Sequence, residues 1–228
     1  MAAEATTMRF VSAHTSVPVP RVWLSFSWGE NNYIFMERIK GSNLEEAWSR
    51  LAEASKDAVV DQLRGHVAQL RAIPAPDGLQ SICSLGGGPV WCFRLHFFGR
   101  TGPFKDEEHM NLQLRHLRPL EDFPPIVQTA HRRQHPLVFT HNDLFPRNIM
   151  VDERTGRVLA ILDWESAGWF PEHWEYCKCR NWGDWRVEQK FWRPLVPRMV
   201  PRYDEEAEAD RVLMYESGVA TISPTVHA

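Results

Sequence analysis

The sequence has few cysteines, little net charge and no long apolar run, and each shortage removes a class of protein. Four cysteines, Cys83, Cys92, Cys177 and Cys179, are too few and too irregularly spaced for a disulfide framework in 228 residues. A reducing, cytosolic setting is therefore expected. Lys plus Arg number 26 and Asp plus Glu 29, a net charge of −3 with no basic arm or stripe. That balance gives nucleic acid or an anionic membrane no electrostatic footprint. No apolar stretch approaches the ~20 residues of a membrane span. The first residues, Met-Ala-Ala-Glu-Ala-Thr-Thr, lack the basic and apolar regions of a secretion signal. Internal repeats and low-complexity tracts are also missing.

What remains is a chain with 43% apolar residues, enough for a packed core in one domain or two small lobes. Helical patterning is expected over residues 3–14. Prolines 18 and 20 force an extended stretch, and strand-like runs follow at 22–28 and 33–36 around a turn at 29–32. Ser42 is expected to cap a short helix starting near Leu44, with Glu45 and Glu46 in its first turn. Val59, Leu63, Val67 and Leu70 recur at helical spacing within 55–73. Residues 77–104 read as loop and 105–117 as helix. Two short strands, 148–151 and 158–162, are joined by a turn, and helices are expected near 172–180, 184–199 and 204–217. The order, a helix, two strands, then mostly helices around a small hairpin, predicts an α+β fold with a helical body.

The densest chemistry lies at residues 140–148, Thr-His-Asn-Asp-Leu-Phe-Pro-Arg-Asn, followed by Asp163-Trp164-Glu165. The form is H-x-D-x-x-x-x-N and then D-x-x. Phosphoryl transfer from a nucleotide uses this set: one carboxylate orients the attacking hydroxyl, and an amide and a second carboxylate hold magnesium on the phosphates. Asp143 is the candidate base, and Asn148 and Asp163 are the candidate Mg2+ ligands. His141 is expected to brace the loop rather than titrate in catalysis. Arg147 either touches phosphate or substrate or braces the loop. Residues 33–39 form an apolar strand that turns polar: either an inner strand with its turn or, with the downstream motif in a two-lobed kinase, a strand leading into a hinge where backbone groups near Met36, Glu37 and Arg38 read an adenine edge. Two other features admit competing readings. His173, Cys177 and Cys179 sit on a helical segment, but the usual zinc spacings are missing. The ten tryptophans, many between 164 and 192, fill a core or line an aromatic pocket.

Five stretches, residues 4–20, 33–41, 102–104, 140–152 and 161–176, resemble the aminoglycoside phosphotransferase family, especially its fungal kinase-like branch. The resemblance reaches to about residue 185, and its specific part is His141 to Asn148 with Asp163. It implies a protein-kinase-like fold, with residues 1–40 as a remnant of the N-lobe and 41–228 as a helical C-lobe. It further implies ATP as co-substrate, Mg2+ as cofactor and a small-molecule hydroxyl as acceptor. Asp143 then matches the family's catalytic aspartate, Asn148 and Asp163 its magnesium ligands, and Glu4 the helix glutamate that pairs with a strand lysine. The chain departs from the pattern in one respect. In the family, a phosphate-covering hairpin and that lysine precede the helix. Here three residues precede Glu4, and Lys40, Lys56, Lys105, Lys178 and Lys190 all follow it. Two readings stay open: a small-molecule kinase, whole or impaired, and a non-catalytic kinase-like binding or scaffold protein. A kinase acting on proteins is disfavoured by the lack of a D-F-G to A-P-E segment.

Overall fold

A computed structural model describes residues 3–96, 99–181 and 190–216. Helix α1 (Ala3–His14) buries Ala5, Thr7, Met8 and Val11, a stripe with the helical period. Strands β1 (Val22–Trp28) and β2 (Asn31–Met36) form an antiparallel hairpin, turned by Gly29 at φ +62°. β3 (Ser42–Asn43) pairs with β8 (Ile149–Asp152), which pairs with β9 (Arg157–Ile161). A second sheet runs in the order β4 (Cys83–Ser84), β10 (Gly168–Pro171), β7 (Leu137–Thr140). β5 (Val90–Trp91) and β6 (Arg100–Thr101) pair within the segment read as loop. Two-residue strands carry no period that a sequence pattern could reveal.

The helical body comprises α2 (Leu44–Ala47), α3 (Glu53–Arg71), α4 (Glu107–Leu114), α5 (Pro125–His131), α6 (Trp174–Asn181), α7 (Val196–Met199) and α8 (Asp204–Glu216). α3 buries Val59, Val60, Leu63, Val67 and Leu70, each side chain worth about 1.5–3 kcal/mol on leaving water. Its Gln62 also reaches the β8–β9 turn, donating to the Gly156 carbonyl and accepting from the Val158 amide, both at 2.9 Å. Ser42 does not cap α2. Asn43 does, its Oδ1 accepting from the Glu46 amide at 2.9 Å, while the Ser42 hydroxyl donates to Glu153. An Asn at the cap position competes well for the first free amides, and Ser42 is held in β3. The helix expected over 184–199 lies partly outside the described residues. Within them only Val196–Met199 is α-helical, because Pro194 and Pro197 interrupt the ladder.

Two apolar clusters fill the interior. The larger joins α1, α2, α3, β7, β8, β9 and the 164–169 segment. The smaller lies among α4, α5, β10 and α8. Trp164, Trp169, Trp174 and Trp192 are fully buried core residues, whereas Trp23 and Trp28 are exposed. Tryptophans 182 and 185 lie outside the described residues. Among the described residues, no helix is long and apolar enough to cross a membrane.

Candidate functional site

β7 ends at Thr140 and delivers residues 141–148 as a loop that folds back on itself. The Asn148 amide bonds the Phe145 carbonyl at 2.9 Å, and the turn then feeds β8. Across the β8–β9 hairpin, Leu162 ties this loop to the one holding Asp163. Its N–H donates to the Asn148 carbonyl at 2.8 Å, and its carbonyl accepts from His141 Nε2 at 2.9 Å. His141 Nδ1 accepts the Asp143 amide at 3.1 Å. Because one ring nitrogen donates and the other accepts, the imidazole is the neutral Nε2–H tautomer. Burial agrees, pushing the His141 pKa down to about 4. His141 is thus a brace between the two loops.

The Asp143 carboxylate takes three hydrogen bonds. Arg147 Nη2 donates to both oxygens, at 2.7 and 2.6 Å, and Asn148 Nδ2 donates to Oδ2 at 2.8 Å. Asn148 Nδ2 also reaches the Asp143 carbonyl at 2.9 Å. The amide is therefore oriented with its nitrogen toward Asp143, and no described residue hydrogen-bonds its Oδ1. Burial alone would raise the Asp143 pKa. The positive charges of Lys178 and Arg147 outweigh it and hold the group below the usual value, ionised at neutral pH.

Asp163 stands in the left-handed region, φ 62° and ψ 62°, a conformation Asp and Asn tolerate better than other side chains. Its environment is the reverse of Asp143's. Burial, then the negative charges of Asp143 and Glu165, push its pKa up to about 6. Glu4 on α1 lies against the same turn, where the Trp164 backbone hydrogen-bonds its carboxylate. Burial, Asp163 and Glu165 all raise its pKa. Several acids therefore share one region, and a cation would relieve their repulsion. Asp163 and the Asn148 amide oxygen are the hard oxygen donors that a magnesium ion accepts.

Met36, Glu37 and Arg38 are exposed at the end of β2. The Glu37 amide donates to the Arg21 carbonyl at 2.9 Å, so that group is engaged. The Glu37 carbonyl and Arg38 amide make no backbone hydrogen bond among the described residues and can face a ligand.

Four residues that shape the loop escaped the sequence reading. Asn142, fully buried and at φ 65°, is held on every side. Its amide donates to Glu175 Oε2 at 3.0 Å, and its Oδ1 accepts from Trp174 Nε1 at 2.8 Å. Its Nδ2 donates to the Ser166 carbonyl at 2.9 Å, and its carbonyl accepts from the buried Lys178 ammonium. Burial opposes the Lys178 charge, but Cys92, Asp143 and Glu175 outweigh burial and raise its pKa. α6 thus supplies Trp174, Glu175 and Lys178 to the back of the loop. The only available signal was their spacing of one and three on a helix, which resembles any amphipathic pattern.

Comparison with curated proteins gives no significant match. Solved structures give many. The chain is similar to aminoglycoside phosphotransferase APH(2'')-Ib in its ADP-bound form, with 14% identity, 99% of this chain and 75% of that chain covered, and a TM-score of 0.59. It is similar to the GDP complex of an aminoglycoside 2'-phosphotransferase of type IIIa, with 13% identity over 96% and 76% of the two chains and a TM-score of 0.58. A ternary complex of APH(4)-Ia with ADP and hygromycin B gives 15% identity, 96% and 77% coverage and a TM-score of 0.57. At these identities the likeness is one of fold, mixed helix and sheet of the kinase-like type. The family model described as the phosphotransferase enzyme family matches residues 1–211. The chain therefore belongs to the phosphotransferase enzyme family.

Proposed function

We propose that the protein transfers the γ-phosphoryl group of ATP to a hydroxyl of a small molecule, with magnesium on the phosphates. One observation carries this reading. An ionised Asp143 sits hydrogen-bonded to Asn148 and across from an acid-rich turn centred on Asp163. Asp143 would accept or orient the substrate hydroxyl, aided by Lys178 and Arg147, which keep it ionised. Asn148 Oδ1 and the Asp163 carboxylate would hold the metal. The metal supplies charge neutralisation for the transferring phosphoryl, and the chain supplies position. The Met36–Arg38 segment would face the nucleobase, and Glu4 would brace the Trp164 turn from α1. Residues 1–40 serve as the N-lobe side of the cleft and 41–228 as the C-lobe. The three solved structures named above are complexes with ADP or GDP and, in one case, hygromycin B, which supports a nucleotide and a small-molecule acceptor as the two ligand classes. Four free, buried cysteines suit a reducing compartment.

The test is nucleotide binding by thermal shift in the presence and absence of Mg2+, comparing the native chain with Asp163→Ala. A magnesium-dependent shift that Asp163→Ala removes is expected. No shift in the native chain overturns the nucleotide reading. A nucleotide shift without phosphoryl transfer to any member of a metabolite panel favours the binding or scaffold reading, in which the same cleft holds a ligand without chemistry.

A further inference from the structure

A second cluster of metal-binding side chains lies outside the 141–163 loops. Glu107 opens α4, His135 precedes β7 by two residues, and His173 immediately precedes α6. Among the described residues, these three form the one group of three carboxylate, imidazole or thiol side chains whose donor atoms all lie within 4.8 Å of one another. Glu107 Oε1 is 2.8 Å from His135 Nδ1 and 3.6 Å from His173 Nδ1. Donors around a tetrahedral zinc ion with bonds of ~2.0 Å stand roughly 3.3 Å apart. The longer separation therefore fits, and the shorter one needs to open by about half an ångström.

A polar network alone leaves part of this cluster unexplained. His135 is satisfied, because its amide and Nδ1 both meet the Glu107 carboxylate. His173 Nδ1 is buried with no hydrogen-bond partner, although its side chain is only 10% exposed. Buried nitrogens seldom go unpaired without a reason. Beside it is a cavity of about 20 Å³ lined by Glu107, His173, Cys177 and Glu206, room for one water-sized occupant.

We propose that Glu107, His135 and His173 form a binding site for a divalent transition-metal ion of the zinc class, separate from the nucleotide cleft. Two imidazoles and one carboxylate suit zinc and its neighbours, whereas magnesium prefers oxygen alone. Glu206 lies 3.7 Å from His135 Nε2, but its carboxylate is already bonded by Arg133, so water completes the shell. The proton that His135 Nδ1 shares with Glu107 leaves to solvent when the ion binds. The ion would join α4, the approach to β7 and the start of α6. His173 stands two residues before Glu175, which holds the Asn142 amide, so the ion would also fix the backing of the candidate catalytic loop.

The test uses the full chain, stripped with chelator and titrated with Zn2+ in magnesium-free buffer, with Co2+ as the spectroscopic probe. Expected are one tightly bound zinc per chain and a visible Co2+ spectrum of four-coordinate type. Affinity should fall at least about tenfold in His173→Gln and in His135→Gln, and remain in Asp163→Ala. No tight zinc, or zinc whose affinity ignores both histidine substitutions or vanishes in Asp163→Ala, overturns the proposal. Should the histidine variants fail to fold, imidazole nitrogen shifts of the native chain decide. Shifts of His135 and His173 on zinc addition support the site, and unchanged shifts overturn it.

Discussion

Asp143 and Asp163 are the same residue type in adjoining loops, yet their surroundings drive them in opposite directions. Lys178 and Arg147 keep the first charged, while burial and neighbouring acids press the second toward its neutral form. If Asp143 orients the hydroxyl, Asp143→Asn should lower turnover by roughly 10²–10⁴-fold while leaving the circular dichroism spectrum unchanged. Arg147→Ala should act more gently and differently. Removing a positive charge raises the Asp143 pKa, so the acid limb of the rate profile moves to higher pH. A limb that stays in place would show that Arg147 does not tune this carboxylate. His141 provides a third check. Its folded value of about 4 lies below that of a free histidine because burial, aided by the positive charges of Lys178 and Arg147, outweighs the opposing pull of Asp143. Neutral His141 therefore favours the folded state above pH ~6.5, and that contribution is lost as pH falls toward 4. Imidazole nitrogen shifts should report the neutral Nε2–H form at pH 6 and above, and an imidazolium signal at pH 6 would contradict the brace.

Among the elements, β10 is a central strand, paired on both sides and packed closely at Gly168. A Cβ on Gly168 would lie 2.3 Å from the Cys83 carbonyl, in a strand bonded on both sides. Gly168→Ala should therefore cost about 1–3 kcal/mol, readable as a lower urea midpoint, and should disturb Ser166, whose carbonyl holds Asn142. Nothing in the sequence marked β10 as a strand. Gly168–Pro171 is buried throughout, without alternation. α1 and α3 were legible because their apolar residues follow a period that one face enforces, and the β1–β2 hairpin because apolar, strand-favouring runs flank the turn at 29–32. α5 was hidden behind its own prolines, which sit at the helix start where they do no harm. The same logic divides the site. Asp143, Asn148 and His141 are neighbours in sequence, so their spacing could be read directly. Asn142 meets Glu175 and Lys178 across 33 and 36 residues, and Glu107 meets His135 across 28. No local pattern encodes such encounters, because only the folded chain brings these distant segments together.

On the scale of the whole molecule, polar and apolar surface are unevenly shared. Trp23, Leu24, Trp28 and Phe35 on the β1–β2 hairpin are between 53% and 76% exposed, a concentration unusual for water-facing surface. Trp23→Ser combined with Phe35→Ser should reduce binding of a hydrophobic fluorescent dye without changing the melting temperature by more than a few degrees. A large destabilisation would mean that the hairpin is held by contacts other than those described.

α6 belongs to both interior clusters. Tyr176, Cys177 and Cys179 project into the larger one, and Trp174 into the smaller. A helix shared in this way acts as a rivet between two compartments that could otherwise melt one at a time. Amide hydrogens along it should be among the slowest to exchange with deuterium. Loosening it from either side should let solvent reach both compartments together, so that the protein loses its shape in a single cooperative step.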